Sequence, residues 1–287
     1  MRSIHALMGA DPAHDNLHHF ETSWLFSPLI FSILRLIIFF YCLLTLVIIF
    51  AYEGANGRGI HDAQAFSYFT NLSFIGILWY FLVAAIHTFL YSRKGRSVLL
   101  NKWPRWLRSM HSLFYTTVVC YPFVVMAVYW ALLYRGPWYP VRFNAWTNIS
   151  QHALPPFFSL FEIIFSMVPP PPLLHIPFLV IILALYLGVA YITHATQGFW
   201  VYPFLNPGPS GRYSPRVVGY IFAVVAAQIF VFSVVWFLSF LRVRLVSSKG
   251  PKWAKAGDEA WNVRRGVANG DAEEGTETME IHLDERK

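Results

Sequence analysis

Residues 145–165 read AWTNISQHALPPFFSLFEIIF, and this stretch decides the fold. It is long and apolar enough to cross a bilayer as a helix. Yet it carries His152, the pair Pro155 and Pro156, and Glu162 at membrane depth. A charge in hydrocarbon costs roughly 2.5–3.5 kcal/mol on insertion scales, so such groups face a protein interior or a water-filled cavity. Neither proline has an N–H, so the carbonyls of Gln151 and His152 lose their helical donors. His152 is therefore expected at an opened, polar turn of an otherwise apolar helix, and chemistry is expected beside it.

The rest of the chain has the same character. Of 287 residues, 56% are hydrophobic and 13% charged, against about 25% charged in a soluble domain. Further apolar runs fall at about 25–51, 65–91, 109–134, 173–196 and 217–241. They are continuously apolar rather than alternating, which argues for helices and against a barrel. The expected fold is all-α: a polytopic bundle of six transmembrane helices. Residues 1–24 form an N-terminal segment and 25–241 the membrane domain. Residues 242–287 form a basic juxtamembrane segment and a tail too polar to bury a core. Cys42 and Cys120 both lie inside apolar runs and supply neither a disulfide framework nor a CxxC motif. No cofactor is expected.

Orientation follows from lysine and arginine in the short loops. Arg93, Lys94, Arg96, Lys102, Arg105 and Arg108 lie between spans two and three, and seven more basic residues from Arg242 to Arg265 follow span six. The other side spreads Arg58, Arg135, Arg142, Arg212 and Arg216 over three loops. Both termini are thus expected in the cytosol. The net charge of +7 reads as topology signal and contact with anionic lipids, not as a nucleic-acid surface.

This topology sorts the intramembrane polar groups by depth. Thr70 and His152 come out roughly 8–11 Å below the same non-cytosolic surface at 1.5 Å per residue. His194 ends span five on that side, and His61 precedes span two. Glu162 lies about 15 Å deeper than His152, where Arg35 can neutralise it. His87, His111 and His175 fall near the cytosolic ends, where a histidine costs little. A hydroxyl and an imidazole at one depth suit a nucleophile and its base. The bland alternative for Thr70 is a hydrogen bond to the Phe66 carbonyl, four residues back. Metal is a competing reading, since His61, His152 and His194 would suit a catalytic zinc. No HExxH or similar helical ligand pair supports it, and no metal is expected.

Three motifs, SYFTNLSF around Thr70, QHALPPFFSLFEIIF after Asn148 and THATQGFWVYPFLNP from Thr193, occur in this order. Together they resemble the androgen-induced protein family, which includes the androgen-dependent regulator of tissue-factor-pathway inhibitor and many fungal members. The resemblance covers roughly residues 20–241 and points to a fungal-type branch. It implies a multi-pass hydrolase of fatty acid esters of hydroxy fatty acids, with an intramembrane threonine nucleophile and histidine base. By motif these are Thr70 and His152. Supporting roles fall to Asn148, one turn before His152 and placed to orient its ring, to Asn71 or Tyr68 as donors to the oxyanion, and to His194. The substrate would be a lipid ester drawn from the bilayer, in the endoplasmic reticulum or another endomembrane, or in the plasma membrane. A non-catalytic membrane scaffold or lipid-binding protein is the alternative, and a transporter would want a continuous polar path that the apolar cytosolic halves of spans five and six do not offer.

Overall fold

A computed structural model describes residues 4–10, 17–57, 64–208 and 214–246. The tail beyond 246 and His61 lie outside the described residues. Among the described residues, besides a single turn at Ile4–Leu7, seven α-helices carry the chain: α1 Pro28–Ala55, α2 Phe69–Lys94, α3 Arg105–Val128, α4 Arg142–His152, α5 Leu154–Phe165, α6 His175–Gln197 and α7 Pro215–Val246. Among the described residues there is no strand, only an isolated bridge between Ser23 and Ser166.

Helix ends follow local chemistry. Ser27 caps α1, its side chain accepting the Ile30 N–H. Helix α2 stops at Gly95, whose left-handed backbone (φ 64°) lets its N–H close on the Tyr91 carbonyl at 2.8 Å. Helix α3 continues into a π turn over Tyr129–Leu133, a distortion that recurs at functional sites.

Among the described residues five helices are long and apolar enough to cross a membrane: α1, α2, α3 with its π turn, α6 and α7. The chain is a multi-pass membrane protein. The stretch 145–165, expected as one more continuous span, is two helices meeting at Ala153. Pro155 and Pro156 account for the break. They sit in the first turn of α5, where a missing N–H costs nothing because those donors are unpaired anyway.

Helix α3 is the axis of the bundle, packed against α2, α5 and α7. Tyr115, Val119 and Cys120 from α3 meet Tyr80 and Phe81 from α2, Leu179 from α6 and Phe232 from α7, all buried. Pro122 interrupts α3 and leaves the Val118 carbonyl without its donor. Ser159 of α5 supplies one: its hydroxyl lies 2.8 Å from that carbonyl and 3.1 Å from the Pro155 carbonyl. In hydrocarbon an unmet carbonyl costs several kcal/mol, so this contact fixes α5 against α3.

The N-terminal segment is part of the bundle rather than a polar lead. Phe20, Glu21, Thr22 and Ser23 are buried, and the Met167 N–H reaches the Thr22 carbonyl at 3.0 Å. Arg242, expected as a juxtamembrane lipid contact, is also buried and donates to the Ser166 and Val168 carbonyls. Helix α7 simply runs one turn further than its apolar stretch. The N-terminal segment and the ends of α5 and α7 thus meet at one end of the bundle, and Thr70 and His152 belong to the other.

Candidate functional site

Thr70 is the second residue of α2, nearer the helix start than the expected depth of roughly 8–11 Å implies. The turn before it is held from three directions. The Tyr186 hydroxyl donates to the Ser67 carbonyl at 2.9 Å, Thr193 bonds the Ser67 hydroxyl at 3.1 Å, and Phe69 N–H donates to the Tyr202 hydroxyl at 3.1 Å. Tyr202 therefore meets one of the N–H groups that a helix start leaves unpaired. Thr70 and Tyr202 lie together on the wall of one cavity. Because Phe66 lies before the helix, the bland bond from the Thr70 hydroxyl to its carbonyl does not form. Burial holds the Tyr202 phenol above its ordinary range, so it stays protonated.

Thr70 lines a cavity of about 160 Å³ between α2, α3, α6 and α7. Its wall is almost wholly hydrocarbon, with Val124, Val128, Leu183, Leu187 and Val225 among the residues around it. Among the described residues, the polar side chains on it are the Thr70 hydroxyl and the phenols of Tyr129, Tyr186 and Tyr202. Such a mostly apolar cavity with a few convergent polar groups is the usual form of a small-molecule site.

His152 closes α4 and lies flat on Tyr129, the ring centroids 3.6 Å apart and the planes 13° from parallel. Its Nδ1 is buried and has no hydrogen-bond partner, the Thr70 hydroxyl included. A buried polar atom left unpaired in a folded protein calls for an explanation, and a site for substrate or water is one. Thr70 and His152 are tied one residue along. The Gln151 amide donates to the Asn71 side-chain oxygen at 2.8 Å, and the Asn71 amide donates to the Ala65 carbonyl at 2.9 Å.

Asn148 does not hold the His152 ring. Its amide donates to the Tyr129 hydroxyl and, at 3.2 Å, to the Tyr139 hydroxyl, while the two phenols lie 2.6 Å apart. It sets Tyr129, and Tyr129 sets His152. Tyr41 of α1 meets Ser150 at 2.7 Å and anchors α4 from the far side. His194 stacks on Trp200 at 3.8 Å, its Nδ1 unpartnered, and is not among the residues around the cavity. Among the described residues no three His, Cys, Asp or Glu side chains gather into a metal site.

Tyr129 and Tyr186 lie outside the three motifs and Gln151 and Tyr202 lie inside them, yet none of the four was assigned a role from the sequence. Gln151 was detectable, as a polar side chain at membrane depth beside His152. Tyr202 was detectable from its motif, whereas Tyr129 and Tyr186 were not, because fifteen tyrosines are spread through the chain and only packing tells which face one cavity.

At the opposite end, His87, His111 and His175 are buried, not interfacial as expected. The N-terminal segment covers them. His87 Nδ1 lies 3.8 Å from Glu21, Ser97 donates to Glu21, and the His111 ring packs against Phe20, Trp103 and His87. His175 shares a 2.7 Å hydrogen bond with Thr116.

An all-helical, multi-pass membrane bundle with a hydroxyl and an imidazole at one end defines the class. The chain belongs to the FAR-17a/AIG1-like protein family, whose model matches residues 29–242. That match runs from the start of α1 into the last turns of α7 and includes every residue of the site. It bears out the family read from the three motifs. No curated protein and no solved structure matches the chain.

Proposed function

We propose that the protein is an intramembrane hydrolase of lipid esters, with Thr70 as nucleophile and His152 as base. The observation that carries this reading is the cavity itself. Among the described residues Thr70 is the one aliphatic hydroxyl on an apolar cavity, and Tyr129 joins that cavity to a histidine with a buried, unpartnered nitrogen. The family match and the motifs around both residues support it.

The substrate class is an ester with two hydrocarbon chains, fatty acid esters of hydroxy fatty acids being the leading candidates. His152 accepts the Thr70 hydroxyl proton as Oγ1 attacks the ester carbonyl, and returns it to the departing alkoxide. Water, with His152 again as base, then cleaves the acyl-threonine and frees the acid. The Tyr202 hydroxyl, already accepting from Phe69 N–H, has its own proton to give to the oxyanion. A small rotation of His152 towards Thr70 accompanies substrate entry; catalytic hydrogen bonds are commonly long before substrate binds.

Helices α4 and α5 together form the sixth crossing. At 1.5 Å per residue they add to about 35 Å, enough for a hydrocarbon core of about 30 Å. The termini face the cytosol, where Arg93, Lys94, Arg96, Lys102 and Arg105 meet anionic lipids of an endomembrane or the plasma membrane.

The test is hydrolysis of such esters by protein in nanodiscs, together with labelling by a lipophilic fluorophosphonate, for wild type, Thr70→Ala and His152→Ala. Labelling and turnover by wild type alone support the site. Turnover that survives Thr70→Ala removes it. The absence of a direct Thr70–His152 hydrogen bond favours one other reading, a lipid-binding protein without chemistry. Ester binding without turnover in any form would support that instead.

A further inference from the structure

A second cleft, of about 340 Å³, lies beside the Thr70 cavity. The two share Phe69 and Tyr186, whose ring centroids stand 4.9 Å apart. This aromatic pair is the partition between them. Thr70 lies on one side, and Leu72, Ser73 and Gly76 of α2 lie on the other, with Phe114, Val118 and Leu185 opposite.

We infer that this cleft is the subsite for the second hydrocarbon chain of the substrate, and that Gly76 sets the chain length it accepts. The inference rests on the hydrolase reading for its substrate and on the cleft for its geometry. Three observations carry it. The hydroxyls around the cleft all donate to backbone carbonyls: Ser73 to Thr70 at 3.0 Å, Thr117 to Phe114 at 2.7 Å, Tyr121 to Leu179 at 2.9 Å and Tyr186 to Ser67 at 2.9 Å. Only an apolar ligand is favoured there. The cleft opens towards the bilayer, since Leu185 on its wall is 68% exposed. Its length is set where a side chain is missing, for a Cβ on Gly76 would meet only Phe114, at 3.8 Å. An ester whose carbonyl sits at Thr70 then sends one chain into each apolar space, on either side of the Phe69–Tyr186 pair. An unfilled cleft of this size would forfeit dispersion contacts along its walls, and a chain restores them.

The experiment compares wild type, Gly76→Ala and Gly76→Leu in nanodiscs. Two ester series are assayed, one varying the acid chain and the other the alcohol chain. Gly76→Leu is expected to lower kcat/KM for the long members of one series by about tenfold or more, the scale of a methylene misfit in an apolar pocket. Gly76→Ala is expected to lower the same long members by less, and in both variants the fall shrinks towards the shortest members and spares the other series. A uniform fall across both series, or no change, overturns the subsite. A diazirine-bearing fatty acid supplies a readout independent of turnover. Cross-links to Leu72, Phe114 and Leu185 are expected in wild type, competed by two-chain ester and lost in Gly76→Leu. Cross-links that persist in Gly76→Leu, or that bulk phosphatidylcholine competes equally well, overturn it. If wild type cleaves no ester, the hydrolase reading falls and the cross-links alone decide the subsite.

Discussion

Arg35 of α1 and Glu162 of α5 are joined by two parallel hydrogen bonds of 2.8 Å, Nε to Oε1 and Nη2 to Oε2, with both side chains fully buried. The guanidinium also donates to the Phe20 carbonyl at 2.8 Å and lies 3.9 Å from the Phe31 ring centroid, and Tyr80 donates to Glu162 at 3.1 Å. One arginine therefore gathers α1, α2, α5 and the N-terminal segment. Each side-chain nitrogen of Arg35 and each carboxylate oxygen of Glu162 is met from the protein, as a charge pair in hydrocarbon requires.

Removing one partner should therefore hurt more than removing both. Arg35→Met or Glu162→Leu alone strands a buried charge and is expected to cost about 3–5 kcal/mol. The double variant should recover a large part of that loss. Thermal unfolding in detergent measures it, and a double variant no better than the sum of the singles would contradict the account. A proton relay through Glu162 is not needed to explain the residue.

Ser159 and Pro122 make a second coupled pair. Ser159→Ala leaves the Val118 carbonyl unmet and is expected to cost about 1–3 kcal/mol. Pro122→Ala restores the backbone N–H that would reach that carbonyl, so in its background Ser159→Ala should cost little. A double-mutant cycle on thermal stability reads the coupling. Equal costs in both backgrounds would show that the serine acts elsewhere.

The fold was legible in the sequence wherever composition alone governs it. Continuous apolar runs placed five helices, and the proline pair after His152 marked the opened turn. The pairing of Arg35 with Glu162 followed from the sequence, because two opposite charges in apolar runs must meet. What was not legible depends on packing between segments. Nothing local says that residues 17–27 fold back over His87 and His111, or that Ser159 stands in for the N–H that Pro122 lacks. The site divides in the same way. Thr70 and His152 stand out as polar groups at one depth. By contrast Asn148, one turn from His152, was placed on the imidazole by helical spacing alone, and three-dimensional packing turned its amide towards Tyr129.

That arrangement makes Tyr129 the positioning residue for His152. Tyr129→Phe keeps the stacked ring but loses the Asn148 and Tyr139 contacts, so a modest fall in kcat is expected. Tyr129→Ala removes the surface on which the imidazole lies and should approach His152→Ala, a loss of about 10²-fold or more if the histidine is the base. Ester turnover at matched protein levels checks both. Full activity in Tyr129→Ala would separate the stack from the chemistry.

Tyr202 gives the sharpest test of the mechanism, because its hydroxyl has both a structural and a chemical task. Tyr202→Phe deprives Phe69 N–H of its acceptor at the start of α2, which alone predicts a lower melting temperature. If the same hydroxyl donates to the oxyanion, kcat should also fall by about 10²-fold or more with KM nearly constant, since that bond strengthens only in the transition state. A purely structural tyrosine would lower stability and leave kcat per folded molecule intact. Measuring kcat, KM and melting temperature on one preparation separates the two tasks, and an unchanged kcat would remove Tyr202 from the chemistry while leaving Thr70 and His152 in place.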